Sequence, residues 1–184
     1  MGKKEQSLLL LDVNFMFDTP FEYKKFNFQK RTIGQLSYIE HIYKFRGTSN
    51  KRYIVFAEQY DYSVYAIKFC THERKNYTDR FNVLSRYNEC NRVLTTVGFI
   101  MQDIVKGNPF ASFIFIGSHL PGEEESNTKR FRLYTNIVEQ LVSPILFEQR
   151  KSVNKSACLM LNRDNQETDL LNKIDKMFRE FHGE

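Results

Sequence analysis

Apolar and polar residues alternate along most of the first half of the chain, and the alternation marks β-strands. The stretches FEYKKFNFQ (21–29), LSYIEHIYKF (36–45), RYIVFAEQY (52–60) and SVYAIKFCT (63–71) are rich in Tyr, Phe, Ile and Val. Turn chemistry separates them, with Arg46-Gly47-Thr48-Ser49-Asn50 as a loop and Gln59-Tyr60-Asp61 as a tight connection. Short links between strands favour hairpins, so an antiparallel meander is expected. The polar segment HERKNYTDRFNVLSRYNE (72–89) breaks the alternation and reads as a loop.

From Asn88 the period lengthens. Val93, Leu94, Val97, Ile100, Met101 and Ile104 recur at helical spacing, which predicts a helix over 88–107 ended by Gly107-Asn108-Pro109. ASFIFIG (111–117) is a continuous apolar run, the signature of a strand covered on both faces. A second helix is expected over 126–142, with Tyr134, Ile137, Val138, Leu141 and Val142 as its buried stripe and Pro144 as its stop. ILFEQRK and ACLMLN read as two further strands. A third helix over 165–182 would be capped by Asp164, with Glu167 completing a capping box. Leu170, Leu171, Ile174, Phe178 and Phe181 would form its apolar face. The order predicts one α+β domain over 1–184: a mainly antiparallel sheet, opening with the strand meander, with two to three helices packed on it. Leu94, Val97, Ile100 and Phe115 are the expected core.

Composition narrows the classes. Over 184 residues, 27 Lys and Arg against 22 Asp and Glu give a formal charge of +5, which permits an anionic partner and excludes an acidic DNA mimic. The 17 Phe and 10 Tyr can fill a core and also supply contact surface for partners. Cys70, Cys90 and Cys158 are far apart, with no CxxC pair for a zinc knuckle or a thioredoxin motif. That usage fits a reducing cytoplasm. The opening MGKKEQSLLLLDVNFMF places lysines before a short apolar run, but Asp12 and Asn14 interrupt it. No stretch approaches the ~20 apolar residues of a membrane span. A soluble cytoplasmic protein is expected.

The best functional candidate is FIFIGSHLPGEEESNTKRFRLY (113–134). A buried strand ending in Gly117-Ser118 and feeding a helix offers backbone N–H groups to an anion. Lys129, Arg130 and Arg132 stand at the helix start, where positive charge opposes the helix dipole. Arg130 and Tyr134 are i and i+4 and share a face, while Arg132 points elsewhere and is free for an ion pair. Gly117, Ser118, Lys129, Arg130 and Tyr134 are thus the candidate anion site. The competing reading is a charged connection in which Glu123-Glu124-Glu125 begin the helix and balance the basic residues. Neither GxGxxG nor GxxxxGK[ST] is present.

Elsewhere the bland readings lead. His72 lies two residues from Cys70, but no further ligands are near, and His41, His119 and His182 are scattered, so no metal site and no cofactor are expected. Cys90 and Cys158 read as core. Glu40, Glu58 and Asp61 could share a sheet face as paired carboxylates, yet read as the polar side of a half-solvated sheet. Tyr53, Tyr60, Tyr62 and Tyr65 could stack bases, but β propensity alone would select them. No catalytic set is identified.

One similarity goes beyond composition. FNF, then strands, NECNRVLTTVGFI, FIFIGS and KRFRLYTNIV resemble a family of small bacterial proteins of unknown function. The shared features are a V-L-x-T-V helix start (within Asn88 to Val97), a strand ending in Gly117-Ser118, and an R-x-R-L-Y helix opening from Arg130 to Tyr134. HLPGEEESN here is longer than the family's link between the last two. The resemblance implies a fold and no reaction. Two functions are therefore expected to compete. One is a non-enzymatic cytoplasmic binding protein that docks a protein or nucleic-acid partner through an exposed apolar or basic patch. The other is a small enzyme or sensor that binds a phosphorylated ligand or nucleotide in a concave pocket at the Gly117-Ser118 turn.

Overall fold

Short links do produce hairpins. Strands β1 (Tyr23–Ile33), β2 (Leu36–Arg46), β3 (Arg52–Gln59) and β4 (Val64–Thr71) form an antiparallel meander in sequence order. The computed structural model describes residues 19–34, 36–48, 50–77, 81, 89–120 and 122–182. Helix α1 (Cys90–Gly107) then carries the chain back, so that β5 (Ser112–Ile116) lies parallel to β4. Helix α2 (Lys129–Leu141) follows, then β6 (Phe147–Ser152), β7 (Ala157–Asn162) and helix α3 (Leu170–His182). Strand β7 inserts between β5 and β6, giving one seven-stranded sheet in the order β1-β2-β3-β4-β5-β7-β6. All pairings are antiparallel except β4–β5. Among the described residues no helix is long and apolar enough to cross a membrane.

The alternation sorts side chains to two faces. On one, Tyr43, Val55, Ile67, Phe113 and Met160 meet the apolar stripe of α1 and Ile137 of α2. On the other, Tyr38, Tyr60, Val64 and Leu159 receive Leu170, Ile174 and Met177 of α3. A buried carboxylate ties the two halves of the main core together. Glu89, just before α1, accepts hydrogen bonds from the Thr48 N–H (2.9 Å) and the Tyr53 hydroxyl (2.8 Å). Gly47 leaves room for this carboxylate, because a Cβ at that position would lie 2.4 Å from Glu89 Oε1 and force it to shift.

Several expectations are corrected. The β3–β4 connection runs through Asp61–Ser63, where Tyr62 and Ser63 take positive φ, and Gln59 remains in β3 opposite Tyr65. Asp164 does not cap α3. The helix starts at Leu170, and the Asp164 N–H donates instead to the Asn162 side chain. Leu171 is exposed, since Leu170, Ile174 and Met177 define the packed stripe. Strand β5 is covered only at its start, with Phe113 buried, Phe115 half-buried and Ile116 exposed. Cys158 is buried as expected but Cys90, on the first turn of α1, is exposed. The N-terminal apolar run, Asn88, and the side chains of Leu141, Phe178, Phe181 and His182 lie outside the described residues.

Leu94, Val97 and Ile100 are buried in the main core as the helical period requires. Leu94→Ala is expected to cost about 2–5 kcal/mol in chemical denaturation, through lost burial and a residual cavity. A loss under about 1 kcal/mol would mean that this helix face is not the packed one.

Candidate ligand site between β4 and β5

Parallel pairing of β4 with β5 lasts only from Val64–Ser112 to Ala66–Ile114. Beyond it the strands part, and the carboxyl ends of two parallel strands bound a notch, the location where open α/β sheets place ligands. The notch holds a cavity of about 210 Å³ whose polar lining is Tyr60, Lys68, Ser118, Arg130 and Tyr134. Phe81, Ile114 and Phe115 supply apolar wall. A smaller crease of about 70 Å³ adjoins it and shares Phe69, Phe115 and Tyr134. That crease runs under α1 and α2 against Leu94, Val97 and Val138. The Tyr134 ring lies between the two spaces, edge-on to Phe115 at 5.7 Å and tilted against Phe69 at 5.9 Å.

The charges around the notch are not equivalent. Lys68 is neutralised by Glu58 at 2.6 Å, and the Tyr60 hydroxyl donates to the same carboxylate oxygen at 2.7 Å. Burial, with Glu58 beside it, raises the Tyr60 pKa above the usual phenol range. Arg130 is only 8% exposed, and its guanidinium donates to the Phe81 carbonyl. Among the described residues no carboxylate comes within ion-pair distance of it. A buried cation without a counter-ion is costly, and native proteins seldom leave one. Burial pushes the Tyr134 phenol up to about 12, while the Arg130 charge pulls it down. Tyr134 is therefore a neutral hydrogen-bonding group near neutral pH.

Of the sequence candidates, Ser118, Arg130 and Tyr134 converge on this cavity. Gly117 and Lys129 do not. Gly117 is buried where α2 meets β5, and a Cβ there would stand 2.3 Å from the Phe131 nitrogen. Its carbonyl accepts from the Thr128 hydroxyl (2.6 Å) and its N–H donates to the Ser156 carbonyl (2.8 Å). Lys129 is exposed, and its N–H donates to Glu123 Oε1 (2.7 Å). Glu123 Oε2 also accepts from the Leu120 N–H (2.9 Å), while Thr128 caps α2 by accepting from the Phe131 N–H. The helix N-terminus thus already holds an anion, supplied by the chain's own acidic loop. Arg132 makes no ion pair among the described residues, and donates instead to the Asn127 carbonyl.

Of the polar groups at the notch, Lys68 escaped the sequence reading, and Glu58 and Tyr60 were weighed there without being placed beside it. Register is the signal that finds them. Glu58 stands directly opposite Glu40 on β2, and both are buried, at 4% and 5% exposure. The expected half-solvated face is corrected, because α3 covers this side of the sheet. Glu40 is compensated by Arg31 at 3.4 Å. Asp61 lies apart, exposed in the β3–β4 turn. The Tyr53, Tyr60 and Tyr65 series is core rather than surface, and only Tyr62 of the four is exposed. Among the described residues no cluster of His, Cys, Asp and Glu has the geometry for a metal ion.

The two backbone N–H bonds, first from Lys129 and then from Leu120, hold the Glu123 carboxyl below its ordinary range. A depressed folded-state pKa stabilises above the unfolded value and is lost as pH falls through the folded one. The melting temperature of Glu123→Gln should therefore trail that of the wild type at neutral pH. The gap should close on acidification below the ordinary glutamate range. A gap that is constant with pH would show that the charge on Glu123 plays no part.

Comparison with protein-family models, with curated proteins and with solved structures finds no match to this chain.

Proposed function

We propose that the protein binds a small amphiphilic anion in the β4–β5 notch: a carboxylate or phosphate monoester carried on a compact aromatic or aliphatic body. The buried guanidinium of Arg130, which has no carboxylate partner among the described residues, carries this reading. An arginine fork matches a carboxylate or phosphate geometrically and would regain in the bound state the counter-ion it lacks in the free one. The Ser118 hydroxyl, which has no partner among the described residues, and the neutral Tyr134 phenol stand on the same cavity. The ligand's body would enter the apolar crease between Phe69, Phe115 and the α1–α2 stripe. A cavity of about 210 Å³ is smaller than the roughly 300–1,000 Å³ of sites for drug-sized ligands, so the occupant is compact. A ligand carrier or sensor is the role that this reading gives the protein, and it puts the Gly117-Ser118 reading in a more specific form. The anion meets the side chain of Arg130 in the notch, while the helix N-terminus is served by Glu123.

Thermal-shift titration with aryl carboxylates, short fatty acids and phenyl phosphate, each beside its neutral amide or alcohol, tests the reading. The anions should raise the melting temperature in a concentration-dependent way and the neutral analogues should not. Arg130→Met, which keeps the apolar stem, should retain a cooperative melt and lose the response. Arg130→Lys should keep part of it. Equal response to the neutral analogues, or an unimpaired response in Arg130→Met, would overturn the assignment.

A further inference from the structure

A second surface, on residues separate from the notch, carries its own ligand chemistry. At the Arg46 end of the meander, on the side of the sheet that carries Lys68, an open groove of about 630 Å³ is lined by Lys24, Phe26, Lys44, Arg46, Arg52 and His72. Among the described residues Glu22 is the one carboxylate on its lining. The strand register sets like charges directly opposite each other: Lys24 faces Lys44 across β1–β2, and Arg46 faces Arg52 across β2–β3. Like-charged pairs at such positions destabilise a sheet, which normally pairs opposite signs there. Among the described residues Lys24, Lys44, Arg46 and Arg52 have no carboxylate within ion-pair distance, although Glu73 feels the Arg52 charge, and Arg46 donates to the neutral Asn50 side chain (2.7 Å). The imidazole of His72 senses the excess: desolvation first, then the Arg52 and Lys75 charges, hold it below its ordinary value against the pull of Glu73.

Of the aromatics on this groove, Phe45 and Tyr53 are buried, and the exposed Phe26 is as informative as the charge. Phe26 sits at an irregularity in the β1–β2 register, between Lys25 and Asn27, and a bulge of this kind re-aims a side chain. Its ring is 58% exposed, with the Lys44 ammonium 4.1 Å from the ring centre. Successive cationic rungs are two residues apart along β2, about 7 Å by strand geometry. That pitch is of the order of one nucleotide of an extended chain. We infer that this groove binds single-stranded nucleic acid, with phosphates along the Lys24–Lys44 and Arg46–Arg52 rungs and a base on Phe26. A single strand supplies both an anion and a π-face at every repeat, which is what the groove presents partners for. An acidic peptide would supply the anions without the faces, and a flat anionic membrane would not enter a concave surface.

Fluorescence anisotropy with labelled oligothymidylate and oligouridylate tests the inference. For about three to four neutralised phosphates, affinity should fall about 20- to 50-fold between roughly 50 and 200 mM salt. The double variant Lys44→Glu/Arg52→Glu, altered at the half-buried Lys44 and the exposed Arg52, should lose at least about tenfold at the lower salt and show a flatter salt dependence. Phe26→Ala should weaken binding about tenfold with the salt slope unchanged, since stacking is sequence-tolerant and uncharged. Thermal melts of the variants confirm that they remain folded. Unchanged affinity in the charge-reversed variant would overturn the inference. So would equal or tighter capture of polyglutamate or of anionic vesicles in place of the oligonucleotides.

Discussion

A parallel strand pair cannot be closed by a tight turn, and this constraint organises the second half of the molecule. Because β5 runs beside β4 in the same direction, the chain must cross back over the sheet, and α1 is that crossover. The helix brings its apolar stripe down on Tyr43, Val55 and Ile67 of the meander, so the connection is also the main cap of the core. Pairing then ends after Ala66–Ile114, and β7 takes the other side of β5. What is left between the diverging strands is the notch. Its existence follows from topology rather than from any one side chain.

The position of Arg130 follows from the same junction. Strand β5 ends at Ile116, and Gly117 lets the first turn of α2 approach to within contact of the backbone. The Thr128 hydroxyl links the two elements, donating to the Gly117 carbonyl while accepting from the Phe131 N–H. With the helix start pinned in this way, the second residue of α2 is held over the open ends of the strands. On the α3 face, by contrast, Glu40 and Glu58 are buried side by side, and each has a basic partner, Arg31 or Lys68. Buried carboxylates on this face are thus matched by basic side chains. Among the described residues no carboxylate stands within ion-pair distance of Arg130 or of the facing Lys24–Lys44 and Arg46–Arg52 pairs, and local conflicts of this kind concentrate where a protein binds something.

Strands and helices were legible because each rests on a local period. Val93 through Ile104 can be read as a helix without knowing what they touch, and the meander follows from the short links between its strands. The α3 cap was misread because Asp164 and Asp169 offer the same local chemistry, and only the packing of Leu170, Ile174 and Met177 decides where the helix begins. Alternation places Glu40 and Glu58 on one face but does not say that α3 will cover that face. For the same reason Tyr53, Tyr60 and Tyr65 could not be told from surface aromatics, while Phe26 and Phe28, on an edge strand exposed on both sides, stood out only as the FNF of a strand. The notch was illegible for a different reason. It depends on where two strands 48 positions apart in register stop pairing, and no window of sequence contains that information.

The acidic loop and the basic helix start look complementary in the sequence, as though one existed to neutralise the other. The structure divides their roles. Glu123 turns back to the Leu120 and Lys129 N–H groups and supplies the negative charge that the α2 dipole favours. Two backbone donors and the positive end of a helix satisfy that carboxylate well, and its depressed pKa reflects this. A carboxylate so held is not available to a guanidinium on the inner side of the helix. Arg130, directed into the notch, therefore has no carboxylate partner among the described residues, a few positions from three glutamates that could have supplied one. The strand–loop–helix stretch is thus two electrostatic arrangements in one segment: a closed one at the helix end, and an open one in the cavity beneath it.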